Sequence, residues 1–231
     1  MEIINFDKLL PQKIKTKKNP FAPNRPFRML MTGGSGSGKT NVLVNMVLRF
    51  LDYDKLYIYA KHLQQDKFKL VQNIINKIET NEELREMCDP PIAVFADDIK
   101  NVVPLEQMDK EKDNLIIFDD FVTEKNQKQI EDMFVRGRHK NASVIYLTQS
   151  YFATPKTIRL NCSHFLLFGS PSNRDLNMVL NDHCSDMDKE DFKEIYTLAV
   201  REPYNFFYVD TDATDKRMKF RKNFDEFFSY N

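Results

Sequence analysis

Gly33-Gly34-Ser35-Gly36-Ser37-Gly38-Lys39-Thr40 is a complete match to G-x-x-x-x-G-K-[ST], and the reading of this stretch decides the fold. Four of the chain's six glycines fall inside it, so the backbone there is built to approach something closely. An apolar run at 27–31 precedes it as a buried strand would, and residues 41–51 follow as a largely buried helix. Successive N–H groups at such a turn wrap phosphates, and the helix N-terminus adds its partial positive charge. In that setting Lys39 reaches the β- and γ-phosphates and the Thr40 hydroxyl coordinates Mg²⁺. The plain alternative is a chance glycine–serine turn. The flanking strand and helix argue for a nucleotide phosphate site instead.

The second half of such a site is an apolar strand ending in an acid, and residues 114–118 run straight into Asp119 and Asp120. A carboxylate at that strand end can stand beside the loop's Mg²⁺, the Walker B role. Asp119 is the candidate for holding the metal through water, and Asp120 for orienting and deprotonating the attacking water. A solvated strand end is the bland account of two adjacent acids. The strand at 142–147 ends in Thr148, Gln149 and Ser150, and a polar residue at such a tip can sit between the acid pair and the γ-phosphate and sense hydrolysis.

Length and composition bound the rest. At 231 residues and 42% hydrophobic, the chain suits one well-packed α/β domain. Its formal net charge of zero points to no partner. Cys88, Cys162 and Cys184 form no CxxC pair, which argues against a structural metal and reads as reduced thiols in a cytosol-like compartment. No apolar stretch approaches the ~20 residues of a membrane span, and the first residues lack a basic start and long apolar run. A soluble protein without a membrane anchor is expected.

Residues 1–26 read as a basic, proline-containing arm. Lys13, Lys15, Lys17, Lys18 and Arg25 lead toward Arg28, interrupted by Pro20, Pro23 and Pro26. Nucleic-acid phosphates or plain solvation would both account for those cations. Residues 27–231 form the expected ATPase domain with a C-terminal strand extension. Strands are expected at 55–59, 92–95, 114–118, 142–147, 165–168 and 206–209, with a final edge strand at 216–220. Helices are expected at 66–78, 82–87, about 124–135, 173–180 and 189–200. The alternation implies a mostly parallel sheet covered on both faces. Lys216, Arg217, Lys219, Arg221 and Lys222 crowd the end, as DNA contacts or as a solvated edge.

No N-K-x-D tetrad reads guanine, and neither Gly137 nor Gly169 has an Asp three residues before it, so ATP is favoured over GTP by elimination. The two motifs, with Gly137-Arg-His-Lys-Asn-Ala-Ser-Val-Ile-Tyr-Leu-Thr-Gln149 and the Pro155-x-x-Ile158-Arg159-x-Asn161 run after it, resemble the FtsK–HerA class of P-loop motors. Within that class the chain is similar to the DNA-packaging ATPases of large eukaryotic DNA viruses, virophages and Polinton-type elements. The resemblance covers roughly residues 27–210. It implies a RecA-like P-loop NTPase fold and a homo-oligomeric ring, pentameric or hexameric. It also implies double-stranded DNA and capsid proteins as partners, at viral assembly sites in host cytoplasm or nucleus or in the virion. Gln149 matches the family's sensor glutamine. An arginine near the start of the glutamine strand is implied to act on a neighbour's nucleotide: Arg138 first, Arg136 second, with Arg159 a further candidate. Cations at a helix end that complement its dipole give these arginines another reading. Many such motors carry Glu where this chain has Asp120, a departure that bears on the base assignment. The expected activity is ATP hydrolysis driving DNA into a viral or transposon capsid. The alternatives are a nucleoside or other small-molecule kinase, a DNA-segregation or secretion ATPase, and a nucleotide-gated interaction protein.

Overall fold

Strand β1 (Arg28–Thr32), the run before the glycine loop, is buried throughout after its first residue, and it takes the middle of the sheet. The fold comes from a computed structural model that describes residues 17, 19–87, 92–169, 172–185 and 187–228. After β1 come α1 (Lys39–Asn45), continued by a π-helical turn at Met46–Phe50, then β2 (Lys55–Ala60), α2 (Asp66–Thr80), α3 (Glu82–Met87) and β3 (Ile92–Ala96). Next are β4 (Asn114–Asp119), α4 (Lys128–Arg136), β5 (Ala142–Thr148), α5 (Lys156–Asn161), β6 (His164–Phe168), α6 (Asn173–His183) and α7 (Lys189–Ala199). The chain closes with β7 (Phe206–Asp210), β8 (Phe220–Lys222) and β9 (Glu226–Phe227).

Among the described residues these strands form one sheet in the order β3-β2-β4-β5-β1-β6-β7-β8-β9. Strands β1 to β6 run parallel, and β7, β8 and β9 add antiparallel. Alternate side chains feed two cores, as the strand period requires. Met29, Met31, Ile117 and Leu147 pack with Leu43 of α1 and Phe68 and Val71 of α2 on one face. Leu30, Phe118, Tyr146 and Phe165 pack with Phe134 of α4, Ile158 of α5 and Phe192 of α7 on the other. The expected α/β architecture, mostly parallel with helices on both faces, is what the chain adopts.

Several local expectations are corrected. The helix expected from about 124 begins at Lys128, because the buried Gln127 turns inward to accept a hydrogen bond from Tyr146 Oη at 2.8 Å. Its amide donates to the Val122 and Glu124 carbonyls and holds the intervening turn. The edge strand expected at 216–220 is a 3₁₀ turn at Lys216–Met218, capped by the Asp215 side chain, and the strand starts only at Phe220. The true edge is β9. Helix α5 was not expected from the sequence.

The basic segments are largely spoken for. Arg25 pairs with Asp113 at 2.8 Å, and Arg28 donates to the Phe134 carbonyl and Asn161. Arg221 is buried against Asp210 at 2.7 Å, and Arg217 pairs with Asp215. Residues 1–16 and Lys18 of the arm, and Cys88, lie outside the described residues. Cys162 and Cys184 are buried, and burial pushes the Cys162 thiol up, which suits an inert core cysteine. Among the described residues no helix is long and apolar enough to cross a membrane.

Candidate functional site

Parallel strands end on one side of a sheet, so whatever follows β1, β4 and β5 must gather there. At that edge lies a cavity of about 530 Å³, lined by the loop from Ser35 to Asn41 and by Asp119, Asp120, Thr148 and Gln149. The structure therefore brings together Ser35, Gly36, Ser37, Gly38, Lys39, Thr40, both acids and the glutamine. Gly33 and Gly34 form the base of the loop. The Gly33 N–H donates to the Thr148 carbonyl, and a Cβ on Gly33 would stand 2.6 Å from Phe168 Cβ, a separation no side chain tolerates. Gly38 opens α1 at φ +105°, in the left-handed region that favours glycine.

Lys39 Nζ donates to the Gly33 and Gly34 carbonyls at 2.6 and 2.8 Å. The cation is folded onto its own loop, in a position that incoming phosphate oxygens would compete for. Burial lowers its pKa, and Asp119 and Asp120 raise it in return. Asp119 is pushed up to about 6, mainly by burial and then by Asp120, with Lys39 and His62 pulling the other way. Asp120 is half-exposed and holds φ +63°, an uncommon conformation for a residue with a side chain.

The residues fit a magnesium ion. Thr40 and Asp119 offer hard oxygen donors, and a buried carboxylate with raised proton affinity is one a cation relieves. Among the described residues no group of three or more His, Cys, Asp or Glu could hold a metal alone. Mg²⁺ needs no such cage, since it takes one or two carboxylates and completes its shell with water and phosphates.

The raised Asp119 makes a prediction about stability. An unfolded Asp titrates near ~4 and the folded one near 6, so the folded state holds the extra proton between those values. Stability attributable to this group is full below ~4 and is lost as pH rises through 6. Asp119→Asn is therefore expected to raise stability by on the order of 1–2 kcal/mol at pH 7–8 in magnesium-free buffer, with the gain vanishing near pH 4. Thermal denaturation against pH reads this directly, and a gain independent of pH would contradict it.

The three arginine candidates part company. Arg159 is buried, donating to Asp182 at 2.8 Å and to the Thr154 carbonyl, with Tyr151 beneath its guanidinium. It braces the fold. Arg136 pairs with Asp132 and, at 3.5 Å, with Glu106. Arg138 is exposed in the 3₁₀ turn at Gly137–Lys140 before β5, with no ion pair among the described residues. That turn stands at the opposite end of β5 from Gln149, roughly 20 Å away along the strand.

Three contributors escaped the sequence reading. His62 Nε2 stands 3.9 Å from Asp120 Oδ2. The buried Asp175 accepts from the Phe152 N–H at 2.8 Å and from Ser150 Oγ, and so fixes the chain just after Gln149. Tyr204, on the turn before β7, lines the cavity beside the loop. His62 and Tyr204 lie in loops and Asp175 in the first turn of α6, and no motif marks any of them.

A family model described as Poxvirus A32 protein matches residues 17–202. The DNA packaging protein OPG160 of Variola virus is 31% identical over 159 residues, 67% of this chain and 57% of that protein. The Vaccinia virus (strain Western Reserve) protein of the same name matches to the same extent, so the match spans little more than half the length of these relatives. Among solved structures, the genome packaging NTPase B204 from Sulfolobus turreted icosahedral virus 2, in complex with AMP, aligns with TM-score 0.58 at 13% identity over 87% of this chain and 98% of that one. The DNA-packaging ATPase B204 from Sulfolobus turreted icosahedral virus aligns with TM-score 0.53 at 14% identity, over the same shares. At such identities these two bear on the fold alone.

Proposed function

The chain belongs to the Poxvirus A32 protein family, and from that premise we propose that it is an ATP-hydrolysing motor subunit that moves double-stranded DNA into a viral capsid. The observation that carries this reading is the convergence of Lys39, Thr40, Asp119, Asp120 and Gln149 on one cavity. The relatives are named for DNA packaging, and aligned B204 structures hold AMP and ATP-gammaS.

In this reading the loop amides from Gly34 to Thr40 hold the phosphates and Lys39 leaves its two carbonyl partners to meet the β- and γ-phosphate oxygens. Thr40 and Asp119 would hold Mg²⁺, which when bound would neutralise charge on the transferred phosphoryl group. Asp120 takes a proton from the attacking water and orients it. Gln149 lies between acid pair and phosphate and reports hydrolysis to the loop that Asp175 anchors. Arg138 cannot reach its own nucleotide from the far end of β5, so it serves the site of the next subunit in a ring. A pentamer or hexamer gathers the surface cations of several neutral subunits around one DNA track.

Hydrolysis measured against protein concentration, with and without double-stranded DNA, tests the proposal. The rate per subunit is expected to climb with concentration as shared sites assemble, and to climb further with DNA. A flat, DNA-indifferent rate would sink the motor and favour a monomeric phosphotransferase with a small acceptor.

A further inference from the structure

We propose that Tyr204 is the platform on which the base of the bound nucleotide stacks, so that this site selects purine nucleoside triphosphates by their π face. The inference rests on reading the glycine loop as the triphosphate site.

The sheet order sets the direction in which the nucleotide must lie. Strand β1 carries the loop, with β5 and then β4 on one flank and β6 and then β7 on the other. The acid pair and Gln149 stand on the β4–β5 flank, so the γ-phosphate end belongs there. The nucleoside therefore leaves the loop toward the β6–β7 flank. The turn before β7 occupies that flank, and its Tyr204 lines the cavity.

Contact and exposure agree with a platform. A Cβ built on Gly38 would stand 3.3 Å from Tyr204 Cδ1, so the phenol ring lies directly against the loop. Yet Tyr204 is 70% exposed and lines the same cavity as the loop and the acids. Packing gives no reason for an aromatic of this size there. Its hydroxyl has no hydrogen-bond partner among the described residues.

The backbone is held at a cost that packing does not explain. Tyr204 adopts φ +69°, where a bulky side chain is an outlier. Its neighbours enforce the turn: Asn205 donates to Glu202 at 3.0 Å, and Asn223 donates to Asn205 at 3.0 Å. Lys222 lies 3.8 Å from Glu202. A rigid turn that presents an unpartnered ring to a nucleotide cavity is built for stacking. The absence of an N-K-x-D tetrad fits the same design, since stacking needs no hydrogen-bond code and rewards the larger purine face.

The test is calorimetric titration of wild type, Tyr204→Phe and Tyr204→Gly with ATP, CTP and inorganic tripolyphosphate, each with Mg²⁺. Wild type and Tyr204→Phe are expected to bind ATP alike and more tightly than CTP. Tyr204→Gly is expected to lose roughly 5- to 100-fold on ATP and nothing on tripolyphosphate. Glycine accepts φ +69° freely, so its melting temperature should equal or exceed that of wild type, which separates lost stacking from unfolding. Unchanged ATP affinity in Tyr204→Gly, or equal losses on ATP and tripolyphosphate, would overturn the platform while leaving the phosphate site intact. Tripolyphosphate binding that Lys39→Ala does not weaken would show that the phosphate-site reading had failed, and the platform with it.

Discussion

Asp120→Asn is expected to lower turnover by about 10²–10⁴-fold while leaving ATP affinity essentially unchanged. Asparagine matches aspartate in shape and occupies the left-handed region at least as readily, so the φ +63° conformation at the end of β4 survives. What it loses is the capacity to take a proton from water. Binding is expected to stay, since in the proposed site the loop, Lys39 and Thr40 hold the phosphates and Asp119 would hold the metal. Turnover and nucleotide affinity measured on the same preparation separate the two roles. Wild-type turnover in the variant would remove Asp120 from the mechanism. A loss of ATP affinity would move it into the metal shell beside Asp119.

Arg138→Ala is expected to cost more, about 10³–10⁵ in turnover, with stability changed by no more than about 0.5 kcal/mol. The exposed side chain has no ion pair among the described residues to lose, and Arg28, whose own pKa is lowered by burial and then by Arg138, is its near neighbour. Two guanidiniums close enough to disfavour each other's charge make a place where an anion from outside is welcome. Arg136→Ala is the internal control, because Arg136 is already neutralised by Asp132 and Glu106. Mixing decides whether the residue acts across a boundary. Arg138→Ala and Lys39→Ala subunits, each inactive alone, should regain activity together, since some sites then join an intact loop to an intact arginine. A mixture no better than its parts, or a fully active Arg138→Ala, would rule out the finger.

The sequence was most informative where chemistry forces residue types into a short span. The loop at Gly33–Thr40 and the acids at Asp119 and Asp120, which the fold gathers at one cavity, stood out because the proposed phosphate cradle and metal ligand each need particular side chains at particular spacing. The central strands were legible because strands buried on both faces read as continuous apolar runs. Their order was not: nothing in residues 28–32 says that they lie between 142–148 and 164–168. Helix α5 was missed because six residues after Pro155 are too few to show a period. Residues 216–220 misled because alternating cations and apolar side chains imitate a strand, whereas the Asp215 cap makes a turn. His62, Asp175 and Tyr204 became visible only when the fold brought them to one edge of the sheet.

The place of β1 in the sheet also orders events in time. When the glycine loop leaves the ribosome its strand has no partner until β5 and β6 emerge, more than a hundred residues later. Pairings of such long range form slowly, and the loop has no fixed geometry before they do. The nascent chain therefore carries its phosphate signature long before it has a phosphate site. The loop takes its final geometry only when residues up to Phe168, which stands beside Gly33, are in place. Any ligand of the loop is therefore held only after strands from distant parts of the chain have closed around it.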